Sequence, residues 1–278
     1  MIDEINQFNS FWLQQVSAPL RLALEGRAGC ELGATLLGAP LLSRAPRGDG
    51  HPVLVLPLML GNDLATVTLR GYLTRQGYAA QPWGLGINLG PRDRILEQCL
   101  GRLQSLQRRH GRKVSLIGWS LGGLYARELA KEAPAAVRLV ITLGTPFTGF
   151  PRPADIWQLY GLATGDRIGF SERHGPLEEP PPVPTTSIFS RSDGIVPWTN
   201  SCGPEGPLSE NIEIESSHFG LGVNPLALYA IADRLAQPEG HWRHFERHGV
   251  AALFYPPPSG QRRTRGLASN NRARHAGT

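Results

Sequence analysis

Short runs of apolar residues alternate with amphipathic stretches along the middle of the chain. The apolar runs are continuous, which is typical of parallel strands that are buried on both faces. Between them, apolar residues recur at the spacing of three and four that marks helices. The predicted strands are residues 51–60, 78–82, 113–119, 137–143, 185–190 and 211–215. The predicted helices are residues 64–76, about 91–111, a stretch from 121 that Pro134 ends, and about 225–236.

This order of elements predicts an α/β fold with a mostly parallel central sheet and helices on both of its faces. We place this domain at residues 51–255. An N-terminal helical segment, residues 1–50, comes before it. After it, residues 256–278 turn to Arg, Gly, Asn and Ser and are expected to be a disordered basic tail.

The N-terminal segment has two parts. Residues 26–50 are rich in Gly, Pro and Ala, and we interpret them as a connection with at most short structure. In the first part, the absence of Lys and Arg before Arg21 favours packing on the chain's own domain over contact with a membrane surface or a partner. One amphipathic helix is predicted there from apolar residues at helical spacing: Ile5, Phe8, Trp12 and Val16.

The alternation of strands and helices stops between the strand that ends at Leu143 and the strand that starts near Thr186. An excursion of this length within a compact domain is usually functional. We interpret about residues 146–184 as a small cap over the turn that contains Ser120, with a peripheral decoration as the alternative.

The strand that begins at Lys113 ends in Gly118-Trp119-Ser120-Leu121-Gly122, and a helical pattern starts at once. This is the setting of a nucleophile elbow, in which a strained turn lifts a serine clear of the sheet. Glycine is needed two positions before and after the serine because a Cβ there would collide with the turn. The Gly-x-Ser-x-Gly motif alone is weak, so partners in the right places must support it.

A serine nucleophile needs a base that takes its proton and an acid that orients the base. On this topology they follow in the order serine, acid, histidine, each after a strand. Ser120, Asp193 and His218 satisfy that order. The alternatives are a plain Asp-Gly turn at Asp193 and an ordinary surface or core histidine at His218.

The developing oxyanion of acyl transfer also needs hydrogen-bond donors. The backbone N–H of Leu121 is one candidate. The second should come from the loop after the first strong strand, around Leu58 and Met59.

The formal net charge of +5 lies in the tail, since residues 261–278 hold five arginines and no acid. The rest of the chain balances 23 basic against 23 acidic residues. A near-neutral body and an apolar cap favour a hydrophobic small molecule as the substrate. We expect no nucleic-acid partner, and binding of nucleic acid by the tail is the alternative to a solvated terminus.

We expect neither a metal nor an organic cofactor. His241, His244 and His248 have the spacing of a helical metal face, but no carboxylate context supports one. The three cysteines, Cys30, Cys99 and Cys202, are widely spaced and form no metal pattern and no disulfide framework. Cys99 is expected to lie in the core.

No secretory signal or membrane span is expected. The N-terminus lacks a basic region before an apolar stretch, and no run of about 18 apolar residues occurs. A cytoplasmic location is the resulting expectation, and the sequence is silent on the oligomeric state.

Together these motifs resemble those of the α/β-hydrolase superfamily, specifically its lipase and esterase branch. The resemblance covers about residues 51–237. It rests on five segments: Val55-Leu56-Pro57-Leu58-Met59, Gly118-Trp119-Ser120-Leu121-Gly122-Gly123, Gly144-Thr145-Pro146, Ser192-Asp193-Gly194-Ile195-Val196-Pro197 and Ser217-His218-Phe219-Gly220-Leu221.

The resemblance implies a serine esterase or lipase that works through an acyl-enzyme. Its implied roles are nucleophile for Ser120, base and acid for His218, orienting group for Asp193, oxyanion donors at the amides of Met59 and Leu121, and substrate contacts at Leu58 and Trp119. An acyltransferase with the same acyl-enzyme and a binding protein that has lost turnover are the alternatives.

One segment departs from the family pattern. Pro57-Leu58 stands where the family usually has His-Gly or Pro-Gly. A leucine cannot freely adopt a glycine-like backbone conformation. The oxyanion turn is therefore expected to have a different shape, or turnover to be weak.

Overall fold

Six strands form the centre of the structure, a computed structural model that describes residues 23–91, 94–148, 176–247 and 251–257. The predicted helix of the first 22 residues, most of the predicted cap and nearly all of the basic tail lie outside the described residues. The strands are β1 (Pro52–Leu56), β2 (Ala79–Pro82), β3 (Val114–Trp119), β4 (Val137–Leu143), β5 (Thr185–Phe189) and β6 (Ser209–Glu213).

The strands lie in the order β2-β1-β3-β4-β5-β6, and every neighbouring pair is parallel. The predicted parallel sheet is therefore confirmed. The chain builds outward from β1 to β2 and then crosses back to β3. Ligands of open parallel sheets bind outside the carboxyl ends of the strands at such a reversal.

Helices cover both faces of this sheet. They are α1 (Ala28–Leu37), α2 (Ala39–Leu42), α3 (Val67–Arg75), α4 (Ile95–His110), α5 (Leu121–Glu132), α6 (Pro225–Leu235) and α7 (Ala251–Phe254). Short 3-10 turns occupy Glu25–Arg27 and Trp198–Ser201. Among the helices that the structure describes, none is long and apolar enough to cross a membrane.

The core consists of two apolar layers, one on each face of the sheet. Alternate residues of a strand point to opposite faces. Val53 and Val55 pack in the layer that contains α3 and α6, and Leu54 and Leu56 pack in the layer of α4 and α5. Cys99 of α4 lies in the second layer, as predicted.

The last strand begins and ends two residues earlier than the sequence pattern predicts. It pairs with β5 from Thr185 opposite Ser209 to Phe189 opposite Glu213. Ile214 lies just beyond the strand and is also buried. Its apolar side chain therefore continues the alternating pattern of the sequence past the last paired residue. The predicted start at residue 211 and end at 215 are therefore wrong.

The connection predicted at residues 26–50 instead contains the ten-residue helix α1. Gly29 and Gly33 of this helix face open space, and each costs about 1 kcal/mol relative to alanine. Polar side chains of this segment bind loops of the domain, which offsets that cost. The low helix propensity of the sequence therefore gave a wrong prediction here.

The first turn of α5 packs directly on the end of β1. A Cβ on Gly122 would lie 2.4 Å from the carbonyl oxygen of Leu56 and 2.7 Å from that of Pro57. Both obstacles are backbone atoms, which cannot move aside as a flexible side chain can. The glycine two residues after Ser120 is therefore required by contact with the sheet.

Gly122→Ala is expected to lower the free energy of unfolding by about 3 kcal/mol, because the added methyl group forces backbone atoms apart. Gly101→Ala on α4 is the matched control, since its Cβ would meet nothing within 4 Å. The control should be neutral or more stable by up to about 1 kcal/mol. Urea unfolding midpoints with unchanged m-values measure both effects, and equal midpoints for the two variants would contradict the packing argument.

Candidate active site

Ser120 sits at the turn between β3 and α5 in a strained backbone conformation, with φ of +53° and ψ of −120°. Its backbone N–H donates to the carbonyl of Leu143, at the end of the neighbouring β4, over 2.8 Å. The predicted strand, sharp turn and helix are present. The tip of the turn stands at the carboxyl edge of the sheet, next to the reversal in strand order.

Asp193 and His218 form a buried pair. The Nδ1 atom of His218 lies 2.7 Å from Oδ2 of Asp193, and each side chain is 2% exposed. The other carboxylate oxygen of Asp193 accepts the backbone N–H groups of Ile195 and Val196. One oxygen thus closes the Asp-Gly turn while the other holds the histidine, so the two interpretations of Asp193 are compatible.

The serine turn and the histidine loop are joined through the residue before the serine. The indole N–H of Trp119 donates to the carbonyl of His218 over 3.1 Å. Gly144 directly follows Leu143, the residue whose carbonyl accepts the N–H of Ser120, and has a φ of +53°. A Cβ on Gly144 would lie 2.9 Å from Oδ2 of Asp193 and 3.1 Å from Nδ1 of His218. The structure therefore brings Ser120, Asp193 and His218 together around the end of β4.

Within the described residues, no hydrogen bond joins the Ser120 hydroxyl to His218. Such a contact is often long before substrate binds and tightens in the reacting complex. The pair of acid and histidine is thus formed without a hydrogen bond to the serine.

Opposing influences act on the charge of His218. Burial is the largest and works to lower the pKa of the imidazole. The negative charge of Asp193, its hydrogen bond and the charge of Glu25 together raise that pKa above its ordinary value of 6.5. The site therefore stabilises the imidazolium of a histidine that is almost completely buried.

The turn after β1 agrees with the expectation that Leu58 does not take a glycine-like backbone conformation. Among the non-glycine residues that the structure describes, positive φ occurs at Leu60, Arg94 and Ser120. The left-handed residue of this turn is therefore Leu60, with a φ of +61°, while Leu58 is buried. The turn thus has a different shape, without a glycine-like Leu58.

Asn88, which belongs to none of the sequence motifs, holds this turn in place. Its side-chain amide donates to the carbonyl of Pro57 over 2.8 Å. Its backbone exchanges two hydrogen bonds with the turn, from Leu60 N–H to its carbonyl and from its own N–H to the carbonyl of Gly61. Asn88 is fully buried in a glycine-rich loop, and its position after β2 at the carboxyl edge was the available signal.

Leu58 and Trp119 were expected to contact substrate. Both are buried, and the ring of Trp119 packs against Gly222 while its N–H holds the histidine loop. The structure thus gives Trp119 a role in joining two loops. Substrate contact by either residue stays a prediction.

A second hydrogen-bonded series of Asp, His and Ser lies at the opposite end of the strands, near the amino ends of β1 and β3. His51 contacts Asp49 through Nδ1 over 2.6 Å and Ser115 through Nε2 over 2.8 Å. Burial lowers the pKa of His51 to about 4, and the charge of Arg138 adds to this effect despite Asp49. His51 and Ser115 are fully buried between strands, so this series ties β1 to β3 and presents no hydroxyl to a substrate.

The histidines with metal-like spacing are only partly described, because His248 lies outside the described residues. Across the ranges that the structure does cover, no group of three or more His, Cys, Asp or Glu side chains could hold a metal ion.

No protein-family model matches the sequence, and no curated protein matches it. Solved structures do match the fold. Aspergillus fumigatus lipase B aligns over 69% of this chain with a TM-score of 0.51 and 18% identity. The chain has the α/β-hydrolase fold. The aligned part spans 54% of that lipase, about half its length.

Two further α/β-hydrolase structures also align with the chain. A monoacylglycerol lipase from Paleococcus ferrophilus aligns over 69% of this chain and 96% of its own, with 15% identity and a TM-score of 0.49. A putative non-heme bromoperoxidase, BpoC from Mycobacterium tuberculosis, aligns over 66% and 91%, with 15% identity and a TM-score of 0.49. At these identities the likeness concerns the fold alone.

Asp193→Asn is expected to lower the pKa of His218 below 6.5, because burial then acts with little opposition. The substitution keeps the shape of the side chain and removes its charge. NMR titration of the imidazole measures the change. An unchanged or higher pKa would contradict the account of this pair.

The same substitution should change how stability depends on pH. With Asp193 present, the raised pKa of His218 adds stability that is complete below about pH 6.5 and is lost as pH rises through the folded-state value. With asparagine in place of the acid the histidine contribution reverses, so it grows as pH rises. Urea unfolding of both proteins at about pH 5 and about pH 8 compares the two trends.

Proposed function

We propose that the protein is a serine hydrolase that cleaves carboxylic esters of hydrophobic substrates. The observation that carries the proposal is the buried Asp193–His218 pair, held beside the strained turn of Ser120. A structural histidine alone would need no such pairing with a nucleophile elbow on the same edge.

In this mechanism Ser120 Oγ attacks the ester carbonyl carbon while Nε2 of His218 takes the hydroxyl proton. The new imidazolium is stabilised by Asp193, which also keeps the other ring nitrogen protonated. The tetrahedral intermediate collapses as His218 gives its proton to the leaving alcohol, and an acyl-enzyme remains. Water then repeats the sequence, with His218 as base, and releases the acid and free Ser120.

The backbone amides of Leu121 and Met59 are the proposed oxyanion donors. Leu121 opens α5, where the backbone N–H groups have no partner within the helix. Around Met59, the turn's own hydrogen bonds start from the amides of Leu60 and Gly61 and leave this amide out of the pattern. Both therefore suit a carbonyl oxygen that gains negative charge.

The surroundings support a hydrophobic substrate. Large apolar side chains stay exposed on the loops after β1 and β2 and at the start of α3: Leu60, Leu64, Val67 and Ile87. Phe219, next to the histidine, is 43% exposed. A clustered set of exposed apolar side chains usually marks a binding surface.

Ser120→Ala is expected to abolish labelling by a fluorophosphonate and to lower kcat/KM for p-nitrophenyl esters by at least ~10³-fold. The matched control is Ser115→Ala. Ser115 lies on β3, the strand that leads to Ser120, and its hydroxyl also hydrogen-bonds to a histidine, but the residue is fully buried. That variant should keep its labelling.

Substrate class follows from the same assay. A series of p-nitrophenyl esters should show kcat/KM rising from acetyl to longer acyl chains. Release of the acyl group mainly to an added alcohol or amine, rather than to water, would identify an acyltransferase. Absence of any Ser120-dependent labelling or hydrolysis would overturn the enzyme proposal in favour of a binding protein.

Asn88→Ala is expected to lower kcat roughly 10- to 100-fold with little change in KM, because the turn that carries the Met59 amide loses its anchor. Asn62→Ala is the control, since the Asn62 side-chain oxygen accepts the backbone N–H of Leu64, two residues later, on the exposed side of the same loop. Steady-state kinetics compare the two. Equal kinetics would argue against Met59 as an oxyanion donor.

A further inference from the structure

A carboxylate from the N-terminal segment reaches the candidate active site. Glu25 lies in the 3-10 turn before α1 and is 4% exposed. Its Oε1 accepts the backbone N–H of Gly194 over 2.8 Å, and its Oε2 accepts that of Phe219 over 2.9 Å. These are the residues directly after Asp193 and His218, so one side chain bridges the two loops of the pair.

Neighbours of Glu25 hold the same loops at other points. Arg27 donates to the carbonyl of Ser192 over 2.9 Å. Glu31 accepts the backbone N–H of Ser217 over 2.7 Å and the side-chain amide of Asn224 over 2.9 Å. The segment therefore binds the residues on either side of Asp193 and on either side of His218.

We propose that Glu25 is a positioning residue of the Asp193–His218 pair, which sets the distance between the two loops and adds negative charge beside the imidazole. This inference rests on the proposed function for its catalytic consequence. It goes beyond it by placing a functional group in a segment that lies before the hydrolase fold.

Two charged groups of the described chain act on His218. Asp193 faces it from the loop after β5, and Glu25 faces it from the N-terminal turn. Arg27 points to Ser192 and Glu215, and Glu31 to Ser216, Ser217 and Asn224. In each half of the proposed reaction His218 takes up a proton and then gives it away, so a second carboxylate stabilises the imidazolium that exists between the two transfers.

The test is Glu25→Gln, which keeps size and shape but removes the charge. The pKa of His218, followed by NMR titration of the imidazole, should fall relative to the unmodified protein. In the same variant kcat/KM at neutral pH should drop roughly tenfold, less than the ~10²-fold that a 1 Å displacement of a catalytic group can cost. The acidic limb of its pH profile should move to lower pH, because the histidine base titrates there.

Two further variants separate charge from structure. Glu25→Asp keeps the negative charge and should leave the pKa of His218 closer to that of the unmodified protein than Glu25→Gln does. Glu31→Gln weakens binding to the same loop without being one of the charges that act on His218. Whatever its effect on activity, the imidazole pKa should stay unchanged.

The readouts distinguish failure of this inference from failure of the proposed function. If the protein is active and Glu25→Gln changes neither the pKa of His218 nor the pH profile, the inference is overturned and the hydrolase proposal stays intact. A protein without esterase activity overturns the hydrolase proposal, and the NMR titration still decides the role of Glu25.

Discussion

The first turn of α5 lies closer to the sheet than any side chain would allow, and the rest of the site depends on this contact. A Cβ on Gly118 would lie 2.3 Å from the carbonyl of Gly122, and one on Gly123 would lie 1.9 Å from the hydroxyl of Thr145. With the helix seated this deeply, the turn cannot relax, and Ser120 is held at its tip in a strained conformation. The serine thus occupies a fixed point to which other loops must be fitted.

Those other loops are fixed by polar contacts. The histidine loop is bound to the elbow by the indole of Trp119 and to the acid loop by Asp193 and Glu25. The identity of the three side chains alone does not make a site. Asp49, His51 and Ser115 form a similar hydrogen-bonded series at the amino ends of the strands, but there the Ser115 hydroxyl is fully buried and no substrate reaches it.

The parts that sequence could predict are those with local signals. Continuous apolar runs and Gly-x-Ser-x-Gly are readable from neighbouring residues, and the order of Ser120, Asp193 and His218 follows from strand ends. Tertiary contacts decided the rest. No local signal placed the left-handed position at Leu60, and Asn88 gained its role only through contact with a turn distant in sequence.

The contacts of Glu25 could not be predicted from the sequence for the same reason. They also affect where the domain boundary is placed. A boundary at residue 50 separates the helical segment from the fold by composition, yet the bonds of Glu25, Arg27 and Glu31 cross it. Hydrogen bonds between a carboxylate and backbone N–H groups are among the stronger ones, and here the carboxylate of Glu25 is buried. Removal of this segment would leave three backbone N–H groups of the acid and histidine loops, those of Gly194, Ser217 and Phe219, without these acceptors, so the segment and the loops form one structural unit.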